Sequence, residues 1–206
     1  MRISVDAMGG DYAPKEIVRG ALDAATTING LEKLFLVGDE QLIQIELDKS
    51  SKEVPDCIEI ISATEVVEMG EAPASAIRKK KDSSISRAID LVKDGKADAI
   101  FSAGNTGAAV AAATLKLRTL EGVNRPAIAT VMPTSKDPFV LLDAGANTDS
   151  TPEMLQQFAV MGKIYCKEIL GVQSPRIGLL SIGEEEAKGN ETTKKSFNLL
   201  NNLNLN

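Results

Sequence analysis

Ser102, Gly104, Asn105, Thr106 and Gly107 follow the apolar run Ala99-Ile100-Phe101 and lead straight into an Ala-rich stretch. Residues this small leave backbone N–H groups open, and a helix starting there adds partial positive charge, so the loop can seat an anion. It lacks the Gly-Lys-Ser/Thr ending of a Walker loop, and its glycines do not give the dinucleotide spacing G-x-G-x-x-G. Tight strand-to-helix packing needs the same small residues, so the loop alone leaves both readings open.

Similar loops recur. Asp6-Ala7-Met8-Gly9-Gly10-Asp11 sets two carboxylates around paired glycines, either to approach a ligand closely or to make a turn with positive φ and capped N–H groups. Leu142-Asp143-Ala144-Gly145-Ala146-Asn147 repeats the combination of carboxylate, glycine and amide. Gly183-Glu184-Glu185-Glu186-Ala187-Lys188-Gly189-Asn190 follows an apolar run, and its glutamates are a ligand-facing group or a solvated face. Arg78-Lys79-Lys80-Lys81 is a concentrated basic patch, read as a solvated helix end or a dock for an acidic partner. Arg125, just before Pro126, is a candidate bidentate anion clamp or a surface ion pair.

Composition removes other chemistries. The 206 residues contain no His, which excludes His-based triads, His-ligated zinc and imidazole proton shuttles within them. Two distant cysteines, Cys57 and Cys166, make neither a disulfide framework nor a Cys₄ metal site, and read as small buried hydrophobes. A net charge of −6 with 3% aromatics argues against nucleic-acid binding. No signal-peptide pattern opens the sequence and no apolar stretch approaches the ~20 residues of a membrane span, so a cytoplasmic protein is expected. No metal and no cofactor are expected.

The elements that must position these residues alternate. Strands are expected at 2–6, Leu34–Val37, Cys57–Ile61, Ala99–Phe101, Pro126–Val131, Phe139–Leu142 and Ile177–Ile182. Helices are expected from near Pro14, after Asp39 through Leu47, from Ser83 or Ser84 to Gly95, from the Ser102 loop to about Leu120, from Thr151 to Gly171 and from about Glu191. On the helix from Thr151, Met154, Phe158, Met161, Tyr165 and Ile169 are expected inward. Continuous apolar strands between helices indicate an α/β fold around a mostly parallel sheet, read as one domain over 1–206. Ligands of such sheets bind at the carboxyl ends of the strands, where the glycine loops fall.

In order along the chain, Asp6 to Asp11, Ala76-Ile77-Arg78 with Lys80-Lys81-Asp82-Ser83-Ser84, Ser102 to Ala108, Asn124-Arg125-Pro126-Ala127, Leu142 to Asn147, and Gly183 to Glu191 resemble the phosphate acyltransferases of bacterial phospholipid synthesis, the PlsX family. The resemblance extends from the first residue nearly to the last, and family members continue well past Asn206. It implies the N-terminal part of such an enzyme, C-terminally incomplete, with a three-layer α/β/α fold like isocitrate and isopropylmalate dehydrogenases. It also implies a homodimer working beside the membrane. The implied reaction moves a long-chain acyl group from acyl-carrier protein to inorganic phosphate, giving acyl phosphate. Phosphate is already a nucleophile, so neither a His base nor a Cys acyl-enzyme is needed, and the work is positioning and oxyanion stabilisation. The residues expected to carry it are Asn105, Asp143 and Glu184 in catalysis. Asp6, Gly9, Gly10, Ser102, Gly104, Thr106, Gly107, Arg125, Asn147, Lys188 and Asn190 are expected to bind phosphate or substrate. Arg78 to Lys81 would dock the acidic carrier protein. The alternatives are a phosphotransacetylase-like enzyme using acyl-coenzyme A, or a non-catalytic piece that binds carrier protein or an anion.

Overall fold

A computed structural model describes residues 1–50, 53–145, 147, 149–183, 188–203 and 205. The chain folds as two compact units, Met1–Arg118 and Thr119–Asn206.

The first unit carries β1 (Arg2–Asp6), α1 (Lys15–Thr27), β2 (Lys33–Gly38), α2 (Glu40–Lys49), β3 (Ile58–Ser62), α3 (Pro73–Lys79), α4 (Ser84–Lys93), β4 (Ala99–Phe101) and α5 (Thr106–Lys116). Its four strands lie in the order β3-β2-β1-β4 and every pair is parallel. Strand alternation divides the core between the two faces. Val5, Leu34 and Leu36 pack with Val18, Ala21 and Leu22 of α1 and Ile43 and Leu47 of α2. On the other face Phe35 and Val37 meet Ala88 and Leu91 of α4. Burying each of these Val, Leu, Ile and Phe side chains contributes about 1.5–3 kcal/mol. An apolar groove of about 360 Å³ runs between α1 and the β1–β4 edge, from Met1 and Leu31 to Val5 and Phe101.

The second unit holds β5 (Ala129–Met132), β6 (Phe139–Leu142), α6 (Pro152–Glu168) and α7 (Glu191–Asn201). β5 and β6 pair antiparallel, because the short connection 133–138 cannot carry a parallel crossover. The parallel α/β expectation holds for the first unit.

Three expectations need correction. Ile177–Ile182 is not a strand: Leu180 and Ile182 are 83% and 85% exposed. The apolar run is real, but a strand exists only when a neighbour takes up its N–H and C=O groups. No described strand pairs with it. Helix α5 ends at Lys116 rather than near Leu120, since Arg118 adopts φ 66° and the left-handed residue stops the helix. In α6 Met154 and Phe158 are buried, but Ile169 is 64% exposed as the residue that closes the helix end.

Candidate functional site at the β1 and β4 strand ends

Val5 and Phe101 are paired in register, so Asp6 and Ser102 leave the sheet side by side. Asp6 is 3% exposed. Its Oδ2 accepts the Ser102 hydroxyl at 2.7 Å and its Oδ1 the Met8 N–H at 3.3 Å. Ser102 Oγ in turn accepts the Gly104 N–H at 3.2 Å. The loops approach so closely that a Cβ on Gly9 would stand 2.6 Å from Asp6 Oδ2 and 2.8 Å from Gly104 N. Gly10 has φ 106° and lies against Ala103. The paired glycines therefore serve close backbone approach as well as turning.

Asn105 ends the second loop as the N-cap of α5, its Oδ1 accepting the Ala108 N–H at 3.0 Å. Its Nδ2 donates to the carbonyls of Glu68, Met69 and Glu71 at 3.2, 3.2 and 3.1 Å. Thr106 and Gly107 follow, exposed, and their N–H groups meet no acceptor among the described residues. The start of α3 abuts them, with Pro73 Cγ 2.6 Å from where a Gly107 Cβ would be. Free N–H groups at a helix start, beside a buried carboxylate and a hydroxyl, can hold an anion and orient it.

The basic run closes α3, but it is not one patch. Lys80 Nζ donates to Val66 O at 2.6 Å and pairs with Glu71, while Arg78, Lys79 and Lys81 are exposed without ion pairs among the described residues. The Lys80 ammonium holds the Glu71 carboxyl below its ordinary value. Asp82 is also held low, first by the Thr64 hydroxyl, then by the Thr64 N–H and the Arg87 guanidinium. A carboxyl lowered on folding stabilises fully above its ordinary pKa of 3.8 and loses that contribution as pH falls through the folded value. Asp82→Asn is therefore expected to lower the urea midpoint at about pH 7 and to differ less from the parent near pH 3, as paired denaturation curves would record.

In the second unit Asp143, at φ 63°, accepts from Asn147 N and Nδ2 through Oδ1, at 3.1 and 2.8 Å, and from Ser150 Oγ through Oδ2 at 2.9 Å. Asn147 Nδ2 also donates to Pro126 O at 3.1 Å, which fixes the loop beside exposed Arg125. Asn190 caps α7 by accepting the Thr193 N–H at 2.9 Å, and Lys188 is exposed. Glu184 lies outside the described residues.

The first unit thus brings together Asp6, Gly9, Gly10, Ser102, Gly104, Asn105, Thr106 and Gly107. The second separately brings together Arg125, Asp143 and Asn147. Sequence reasoning missed Glu71 and Pro73 as neighbours of the Asn105 loop; the signal was Pro73, a residue favoured at a helix start. Cys57 and Cys166 are half-buried and free. Among the described residues no group of three or more Cys, Asp or Glu could hold a metal ion, and no helix is long and apolar enough to cross a membrane.

Fold and loops define an α/β protein whose parallel sheet presents interlocked glycine loops at adjacent strand ends. The chain belongs to the family described as fatty acid synthesis protein, which matches residues 1–206. It is 52% identical to a phosphate acyltransferase of Pelotomaculum thermopropionicum over 206 residues, covering 100% of this chain and 59% of the relative. Against a phosphate acyltransferase of Desulfitobacterium hafniense the identity is 53%, over 100% of this chain and 60% of the relative. The chain thus spans about three-fifths of the length of these relatives. Among solved structures it is similar in fold to the EutD phosphotransacetylase from Staphylococcus aureus, with TM-score 0.69 and 19% identity over 98% of this chain and 64% of that one. A branched-chain phosphotransacylase from Enterococcus faecalis V583 gives TM-score 0.54 and 18% identity, over 90% of this chain and 58% of that one.

Proposed function

We propose that this chain is the catalytic part of a phosphate acyltransferase that moves a long-chain acyl group from the thioester of acyl-carrier protein to inorganic phosphate. A phosphate oxygen attacks the thioester carbonyl, the C–S bond breaks, the carrier thiol leaves and acyl phosphate is released. The observation that carries this reading is the whole-chain identity to phosphate acyltransferases, joined to the interlocked loops over the start of α5.

Phosphate sits against the N–H groups of Thr106 and Gly107, with the Gly9, Gly10 and Gly104 backbones closing the loop and Asp6 and Ser102 fixing its shape. In the second unit, taken by itself, Arg125 is a clamp for an anion, Asp143 or Glu184 is the carboxylate that orients phosphate or takes its proton, and Asn147, Lys188 and Asn190 are substrate-binding groups. Residues 1–206 work as one acyltransferase domain with the three-layer α/β/α arrangement of isocitrate and isopropylmalate dehydrogenases, as a cytoplasmic homodimer that meets the membrane peripherally. Helices on both sheet faces of the first unit support the layered arrangement.

The test is to incubate this chain, and a protein of the relatives' full length, with palmitoyl-carrier protein and phosphate, trapping acyl phosphate with hydroxylamine. Phosphate-dependent hydroxamate is expected from the full-length protein; thioester loss independent of phosphate defeats the assignment. The fold likeness to phosphotransacylases favours a second reading, with acyl-coenzyme A as donor. Comparing the two donors at equal concentration separates them.

Arg78, Lys79 and Lys81 present free cations to an acidic carrier, whereas Lys80 is engaged with Glu71. Replacing the three exposed residues by Gln is expected to raise the carrier-protein KM roughly tenfold at low salt while the phosphate KM stays unchanged. An unchanged carrier KM removes the docking role.

A further inference from the structure

We infer that Asn105 is a positioning residue that holds the segment 68–71 as a wall of the strand-end site, rather than a group that touches the reacting atoms. Asn105 is 8% exposed, and both ends of its carboxamide are committed. Oδ1 caps α5 at Ala108, and Nδ2 gathers three carbonyls from one short segment. That segment has few other ties. Glu71 Oε1 accepts the Glu68 N–H at 2.9 Å, the Glu71 N–H reaches Glu68 O at 3.2 Å, and Lys80 pairs with Glu71. Val67 is buried beside α3 and α5, but Met69 is 55% exposed and a Cβ added at Gly70 would meet nothing within 4 Å. One amide therefore couples the helix start that offers free N–H groups to the segment bounding them. Lys80 offsets the Glu71 charge on that segment, which would otherwise oppose an anion nearby.

The catalytic consequence rests on the acyltransferase reading; the structural one does not. Asn105→Asp separates the two tasks, because Asp caps as well as Asn but has no N–H to donate. In this chain, amide hydrogen exchange at 68–72 is expected to quicken at least roughly tenfold while 108–113 stays protected; Asn105→Ala should expose both. In the full-length protein Asn105→Asp should lower kcat roughly tenfold or more with little change in phosphate KM. Ile43→Val, in the core of α1 and α2, is the control for a merely structural loss and should leave kcat unchanged. Unchanged exchange at 68–72 in Asn105→Asp overturns the inference, as does a kcat equal to that of the Ile43→Val control. Should the parent form no acyl phosphate, the function falls and exchange alone decides the role of Asn105.

Discussion

Gly9→Ala is expected to eliminate most activity and to destabilise the first unit. The new Cβ would stand 2.6 Å from Asp6 Oδ2, 2.8 Å from Gly104 N and 3.0 Å from Ser102 Oγ. None of these is the end of a flexible side chain free to swing aside: Asp6 is buried and hydrogen-bonded, and Gly104 N is backbone. The β1 and β4 loops must separate, at about 1–3 kcal/mol as overpacking usually costs. Moving the Gly104 backbone also shifts the start of α5, and a displacement of about 1 Å at a positioned anion costs roughly 100-fold in rate. Gly20→Ala supplies the contrast. Gly20 lies inside α1 with nothing within 4 Å of its would-be Cβ, so alanine there should stabilise by about 0.5–1 kcal/mol. Urea denaturation of both variants and acyl phosphate formation by the full-length protein measure the pair. A Gly9→Ala protein as stable and active as the parent would refute the interlock.

Asp6→Ala is the second large effect. Asp6 accepts the Ser102 hydroxyl and the Met8 N–H from a nearly sealed position. Truncation strands both donors, at about 1–3 kcal/mol for each one left buried and unsatisfied. It also frees Ser102, whose oxygen holds the Gly104 N–H. Asp6→Asn distinguishes shape from charge, because its remaining carbonyl oxygen can still accept one donor. If Asp6 only shapes the loop, Asn recovers most of the stability and activity lost in Ala. If its charge serves phosphate transfer, Asn recovers stability but not kcat. Equal stability of Asp6→Ala and the parent would contradict the buried network.

Much of this site was legible before folding was considered. Glycines at 9, 10, 104 and 107 after apolar runs marked the loops, leaving close approach, turning and tight packing open as their purpose. The small-residue loop from Ser102 announced a helix start, but that Asn105 caps it came from the structure. What Asn105 does with its other atoms was not legible, since its acceptors lie more than thirty residues upstream. Lys80 was indistinguishable from Lys79 and Lys81 by type; only the fold places Glu71 against one of them. Ile177–Ile182 failed in the opposite sense, for its pattern fits a strand while pairing depends on neighbours that periodicity does not report.

The sequence by itself determined the α/β class, the strand-then-glycine grammar of the loops and their small-residue chemistry. Local propensity and apolar period depend on residues a few positions apart. Tertiary structure alone decided that the loops at Asp6 and Ser102 interlock and that Asn105 braces 68–71. It also decided that Lys80 is spent on an internal ion pair. Each of these is a contact between distant segments, set by sheet order and register rather than by any one residue's type.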